Sequence, residues 1–557
     1  MKLKILLLIV ALIAIMVILH LYFSYNRKAD MILINGNIHT LDGSNNQPDA
    51  IVIRKNKIFD LGKSKEILAE YQAESVIDLK GKTVIPGLID AHAHIFGLGQ
   101  MINSIVLVGI NSVEKIVEKV KDKASSTVPG EWIYGRGWDQ TLWQEKTFPT
   151  KDILDKVAPN NPVILGRIDG HAIWVNQKAI ELANVSSATK DPEGGKILRD
   201  KDGNPTGIFI DKATELIEKV VPQPSDKEVE NSILLAVQEC IKSGLTEVHD
   251  MGLNLQSIRV YKKLADENRL PIRIYGAIDA PSEAWNVYSS KPPLIGYGDG
   301  KLTIRAIKLY ADGALGSRGA ALIEHYSDDP TNRGLTMISE NEMENLAKQA
   351  SAKGYQVCVH AIGDRANYIA LNVIEKLSKD NALPDSRFRI EHAQVIAPSD
   401  ISRFKALDVL PSMQPVHATS DMDWAESRLG PERVKGAYAW KSLINSGSII
   451  PAGSDFPNDI MQPLWGFYAA ITRKDQDGKP EGGWHKEQCM SREEALKSYT
   501  IWAAFAAFQE KIKGTIEIGK LADLTILSKD IMIIDPKDIL TTDIEMTIVD
   551  GKVVYSK

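Results

Sequence analysis

Apolar positions follow different rhythms at the ends of the chain and in its middle. Near the start they come in short runs broken by turn residues. Met31-Ile32-Leu33-Ile34 meets Asn35-Gly36, a hairpin-type turn, then Ile38-His39-Thr40. Asp42-Gly43 is another turn, and Ile51-Val52-Ile53 and Lys57-Ile58-Phe59 follow. The far end reads alike: Leu524-Thr525-Ile526-Leu527, then Glu545-Met546-Thr547-Ile548-Val549, a turn at Asp550-Gly551, and Val553-Val554-Tyr555. Two β-rich ends around a long middle predict one small β-sandwich domain built from both termini, over residues 31–83 and 513–557.

The middle, 84–512, alternates strands with helical stretches. The first strand carries Pro86-Gly87-Leu88-Ile89-Asp90-Ala91-His92-Ala93-His94. The next three are Leu245–His249, Ile272–Tyr275 and Ile304–Tyr310. Gln356–His360, Arg389–His392, Val409–Met413 and Ile449–Asp455 complete eight. Amphipathic segments such as Glu342 to Lys353 and Ile369 to Ser378 lie between them. Eight βα units predict an α/β fold, a (β/α)₈ TIM-like barrel. The stretch between the first two strands, about 102–242, is too long for a simple connection and reads as an insertion. It holds four of the ten tryptophans, Trp132, Trp138, Trp143 and Trp174. A hairpin is predicted there, from Gly195-Lys196-Ile197-Leu198 through Asp202-Gly203 to Gly207-Ile208-Phe209.

The N-terminus has a third rhythm. Ile5 to Leu19 is unbroken apolar, preceded by Lys2 and Lys4 and followed by Arg27 and Lys28, with no small-x-small cleavage site after it. This predicts an N-terminal hydrophobic helix over 1–28, an uncleaved signal anchor to a membrane, with the catalytic part outside the cytoplasm. A cleaved signal is the alternative. A formal charge of −6 gives no electrostatic case for nucleic acid. Cys240, Cys358 and Cys489 form no CxxC and read as buried thiols.

The chemistry sits at the predicted strand ends. His92 and His94 are two residues apart on a strand, so they project the same way. His360, His392 and Asp455 end three later strands, and Lys308 lies within the fourth. Each has an ordinary reading: a capped polar residue, a satisfied core histidine, a helix N-cap, an ion pair for Lys308. Donors from several strands converging on one barrel mouth are harder to explain as packing.

These residues lie in motifs that resemble the amidohydrolase superfamily, specifically its amidohydrolase-3 branch of N-substituted formamide deformylase-like metal-dependent hydrolases. The motifs are the Pro86–His94 run, Asp169-Gly170-His171, Lys308 through Arg318, His360-Ala361-Ile362-Gly363-Asp364, Glu391-His392-Ala393, Gly453-Ser454-Asp455-Phe456-Pro457 and Gly514 through Leu524. The resemblance runs from about Met31 to the C-terminus. It implies a metal-dependent hydrolase of non-peptide C–N bonds, of the amide, N-formyl or N-acyl type, with a small-molecule substrate. His92, His94 and Asp455 would hold one divalent metal, with zinc the first expectation. His360 and His392 would hold a second where two bind, bridged by Lys308 as a carbamate, since an unmodified ammonium has no lone pair. Asp455 would transfer the proton. His171 would stabilise the oxyanion or be a satisfied loop histidine. Arg318 would bind an anionic substrate group or pair within its loop, and Trp138 would contact an apolar substrate group or pack the insertion. His249, His325, His417 and His485 read as structural or surface residues. A metal-dependent lyase or isomerase on the same ligands, or a non-catalytic scaffold, are the alternatives. A scaffold would be expected to lose ligands, and this chain retains every position.

Overall fold

The computed structural model describes residues 27–44, 47–167, 172–192, 194–379 and 385–557. The apolar N-terminal run and His171 lie outside these described residues. Among the described residues, no helix is long and apolar enough to cross a membrane. The chain divides into two units: residues up to His94 together with Val237–Lys557, and Ile95–Ala236.

The larger unit contains the barrel. Seven parallel strands follow one another around it in chain order: β1 (Leu88–Ala93), β2 (Leu245–Leu253), β3 (Arg273–Asp279), β4 (Leu302–Tyr310), β5 (Gln356–Ala361), β6 (Arg389–His392) and β7 (Leu410–Ser412). The eighth predicted strand forms no regular ladder, and it still closes the ring. Gly453 N–H donates to the Met413 carbonyl on one side; on the other, Ala91 N–H donates to Ala452 and Asp455 N–H to His92. Pro451 supplies no N–H, so only part of a ladder can form there. Buried apolar residues fill β1 to β6 on both faces, as sheets covered on both sides require.

The same unit holds a sandwich of two sheets. One orders Lys57–Gly62, Ala50–Arg54, Lys28–Ile34 and Gln72–Asp78; the other orders Asn37–Ile38, Thr83–Pro86, Leu524–Leu527, Ile544–Val549 and Lys552–Ser556. Their shared core includes Leu33, Ile51, Ile53, Val84, Leu524, Ile526 and Ile548. Each such side chain, fully buried, contributes about 1.5–3 kcal/mol. Asp550-Gly551 closes the expected hairpin, with φ of 59° and 72°. Asn35-Gly36 does not. Asn35 takes φ 55°, but its amide bonds Ser64 Oγ and its side chain Asp78, so the chain leaves one sheet for the other. Ile38 then pairs with Val84 rather than turning back. Arg273, at the start of β3, ties the barrel to the sandwich through Asp523 at 2.7 Å and Asp550 at 2.8 Å.

The smaller unit is built on a six-stranded sheet of its own, which includes the expected hairpin, Gly195–Arg199 against Pro205–Asp211. Cys240 and Cys358 are buried as expected, whereas Cys489 is only partly so.

Candidate metal centre

Parallel strands all finish at one end of a barrel, so their last side chains meet there. β1 brings His92 and, directly after it, His94. Ladder registers set Tyr310 opposite His360 and Ala361 opposite His392. Lys308, His360 and His392 therefore arrive at neighbouring heights on β4, β5 and β6. Asp455 comes from the closing segment. Gly453 makes its approach possible: a Cβ there would lie 2.4 Å from the His92 nitrogen and 2.7 Å from Asp90 Oδ1. Asp90 fixes this junction by accepting from Ser454 Oγ at 2.6 Å and from the His92 and Ser454 amides at 3.0 and 3.1 Å. Burial nevertheless pushes the Asp90 carboxyl up to about 7. Asp455 and His392 take φ of 62° and 70°, left-handed conformations that L residues adopt only when held.

The imidazoles are oriented from behind. His92 Nδ1 donates to Glu391 Oε2 at 2.6 Å, and His94 Nδ1 donates to the Met251 carbonyl at 2.9 Å. A carboxylate and a carbonyl only accept, so both rings carry their hydrogen on Nδ1. Each Nε2 of a neutral ring is then a lone pair. Both Nε2 atoms face Asp455 Oδ1, from 3.4 and 3.0 Å. His392 lies 4.9 Å from the His92 ring and 4.5 Å from the His360 ring, centroid to centroid. Lys308 Nζ is 3.4 Å from His92 Nε2.

Electrostatics support a cation at this point. Three buried atoms of the cluster, His360 Nε2, His392 Nδ1 and Asp455 Oδ1, have no hydrogen-bond partner. Buried polar atoms left without a partner are costly, and a bound cation would satisfy them. Burial, reinforced by Lys308, holds His92 below its ordinary value and takes His360 down to about 3; burial and the neighbouring His360 hold His392 well below. All three are thereby neutral, the form that ligates metal. Burial pulls His94 down too, but Asp455 outweighs it and the net shift is upward. Burial pushes Asp455 up, yet the His92 and His94 contacts outweigh it and hold the carboxyl well below the usual range. The donor set, imidazole nitrogens with a carboxylate, suits a divalent metal.

The structure brings His92, His94, Lys308, His360, His392 and Asp455 together. Lys308 is buried and makes no salt bridge among the described residues. Burial lowers its pKa, which Glu391 and Asp455 offset only in part. For Trp138 and Arg318 the structure shows the second of the two expected roles, packing in the insertion and pairing within the loop. Trp138 is fully buried in the core of the smaller unit, among Trp143, Phe148 and Trp174, with its indole N–H on the Leu165 carbonyl at 2.7 Å. It has no face left for a ligand. Arg318 is committed to its loop: Nε and Nη2 grip the two oxygens of Asp328 at 3.1 and 3.0 Å.

Sequence reading missed His417. Its Nε2 lies 3.7 Å from Asp455 Oδ2 and its ring stacks on His392 at 12°. Ligand atoms of His392, His417 and Asp455 fall within 4.8 Å of one another, as do those of His92, His94 and Asp455. The available signal was its place in the first turn of helix Pro415–Arg433, just past the mouth end of β7. Glu391 was also missed. A glutamate two residues after Arg389, inside a buried strand, points into the barrel with it.

A barrel whose mouth gathers imidazoles around a carboxylate defines a metal-dependent hydrolase architecture, and the comparisons agree. The sequence model of the Amidohydrolase family matches residues 75–555. The chain belongs to the amidohydrolase family. It is 33% identical to "Putative amidohydrolase YtcJ" of Bacillus subtilis (strain 168), covering 94% of this chain and 98% of that protein. It is 25% identical to the N-substituted formamide deformylase of Arthrobacter pascens, covering 95% of this chain and 98% of that one. Among solved structures, an uncharacterized metal-dependent hydrolase from Pyrococcus horikoshii OT3 superposes with a TM-score of 0.77 at 29% identity, covering 91% of this chain and 99% of that one.

Proposed function

We propose that this chain hydrolyses a C–N bond other than a peptide bond, of the amide, N-formyl or N-acyl type, in a small molecule. One observation carries the reading: ligand atoms of His92, His94 and Asp455 converge within 4.8 Å of one another at the barrel mouth. In this reading His92, His94 and Asp455 hold one divalent ion, with zinc the first expectation. His360 and His392 hold a second where two bind. A divalent ion held by these residues would acidify water and polarise a carbonyl oxygen.

The chain's own residues do the rest. Asp455 takes a proton from the attacking water while the water oxygen bonds to the carbonyl carbon. It returns the proton to the nitrogen as the C–N bond breaks, so a carboxylic acid and an amine leave. His171 stabilises the developing oxyanion. Lys308 serves as a carbamate: its burial-lowered pKa leaves more neutral amine to attack carbon dioxide, losing a proton and gaining two oxygens. The N-substituted formamide deformylase among the relatives supports an N-formyl or N-acyl substrate. The apolar N-terminal run tethers this activity to a membrane, with the catalytic part outside the cytoplasm.

The test is metal analysis of the purified chain followed by a screen of N-formyl, N-acyl and simple amide compounds for amine release. Bound divalent metal with metal-dependent amine release is the expected outcome. Products of elimination or isomerisation in place of acid and amine would overturn the hydrolytic reading.

A further inference from the structure

Beneath the mouth, the barrel interior carries a continuous file of buried polar side chains. Lys513 contacts Glu247 Oε2, and His249 Nε2 lies 3.1 Å from Glu247 Oε1. His249 Nδ1 lies 3.0 Å from Arg389 Nη1. Arg389 Nε and Nη2 reach Glu391 at 2.8 and 3.1 Å, and Glu391 holds His92. Arg389 also bonds the Ala91 carbonyl and Ser412 Oγ, so one side chain braces β1, β2, β6 and β7. Every member is buried.

The hydrogen positions along this file are dictated. Lysine and arginine only donate, and glutamate only accepts. His249 therefore accepts from Arg389 at Nδ1 and donates from Nε2 to Glu247. Glu391 Oε2 accepts from Arg389 Nη2 and from His92 Nδ1, while Oε1 lies in an ion pair 2.8 Å from Arg389 Nε. The carboxylate is thus locked as an acceptor, in a fixed direction, against one nitrogen of His92.

We propose that Glu391, clamped by Arg389, is a positioning residue that sets the tautomer of His92 and aims its Nε2 lone pair at the mouth. The proposal rests on the metal-dependent reading above for its consequence, but not for the tautomer itself. Glu391→Gln discriminates sharply. A glutamine offers one oxygen and one NH₂ where the carboxylate offers two oxygens. If its oxygen faces Arg389 Nε, its NH₂ faces His92 Nδ1; turned over, its NH₂ faces Arg389. The first orientation moves the His92 hydrogen to Nε2 and removes the lone pair from the site.

The experiment uses the full chain, labelled with ¹⁵N-histidine, and cobalt(II) as the probe. Wild type is expected to show His92 protonated on Nδ1 in the metal-free protein. Glu391→Gln is expected to shift it to Nε2 and to weaken cobalt binding by roughly 10- to 100-fold, with an altered visible spectrum. Arg389→Lys keeps the charge but loses the fork, and should also weaken cobalt binding. Ser412→Ala removes another bond of Arg389 without touching Glu391, and should lower thermal stability while leaving cobalt affinity unchanged. An Nδ1–H tautomer and wild-type affinity in Glu391→Gln would overturn the proposal. If that variant fails to fold, unchanged affinity in Arg389→Lys would overturn it instead. If wild type itself binds no cobalt, the metal reading fails, while the tautomer shift still decides the role of Glu391.

Discussion

The two polar regions of the barrel interior contrast in what they bring together. In the lower file, basic side chains meet carboxylates: Lys513 contacts Glu247, and Arg389 lies against Glu391. At the mouth, imidazoles gather around one carboxylate: the Nε2 atoms of His92 and His94 lie 3.4 and 3.0 Å from Asp455 Oδ1, and His392 and His417 approach the same residue. Both regions are buried, so composition rather than burial separates them. Buried ion pairs tie strands together, whereas imidazoles around a carboxylate are the donor set of a divalent metal.

The strongest way to break the contrast is to remove what completes the mouth. Prolonged treatment with a strong chelator should abolish turnover, and a divalent metal should restore it; full turnover of the metal-free chain would end the comparison. Next is Asp455→Asn, which keeps shape and an oxygen donor but loses the basic carboxylate. Its kcat should fall by roughly 10²–10⁴ with the fold and much of the metal retained. Circular dichroism, metal analysis and turnover on an identified substrate decide this, and near-wild-type turnover would move the proton-transfer role elsewhere. Lys308→Ala should lower metal content and activity together, with partial recovery in short carboxylic acids that supply the missing oxygens.

The lower file should fail differently. Lys513→Met breaks a buried ion pair and strands Glu247, at a cost of about 3–5 kcal/mol in stability, while metal per folded chain stays unchanged. The smallest effect concerns acid. Burial raises Asp523, but Arg273 outweighs it and holds the folded carboxyl below the ordinary carboxylate value. Its contribution is then complete above the unfolded value and lost as pH falls through the lower folded one. The melting temperature should drop in that acid window, and Asp523→Asn, already less stable at neutral pH, should drop less.

The sequence made the barrel legible because parallel strands buried on both faces leave apolar runs, and several of those runs ended in a histidine or aspartate. Gly453 lay within a motif of the sequence, and the His92 backbone now explains why a glycine stands there. Asn35-Gly36 misled because local turn chemistry says nothing of which sheet the next strand joins. Trp138 misled because an aromatic in an insertion looks the same whether it faces a ligand or a core. His417 escaped because it lies one helical turn beyond a strand end, where no periodicity marks it. Glu391 escaped because its meaning depends on His92, 299 residues away in sequence.

The sandwich has a consequence for synthesis. Strand Thr83–Pro86 finds its antiparallel partner only in Leu524–Leu527. A ribosome adding about 10 residues each second leaves that edge waiting for roughly 40 seconds while the entire barrel is made. Until then this edge of Thr83–Pro86, whose Val84 and Ile85 are fully buried once the sheet is complete, lacks its antiparallel neighbour. A premature stop anywhere before Leu524 makes that gap permanent, and such fragments should be captured by chaperones or aggregate rather than persist as a free barrel.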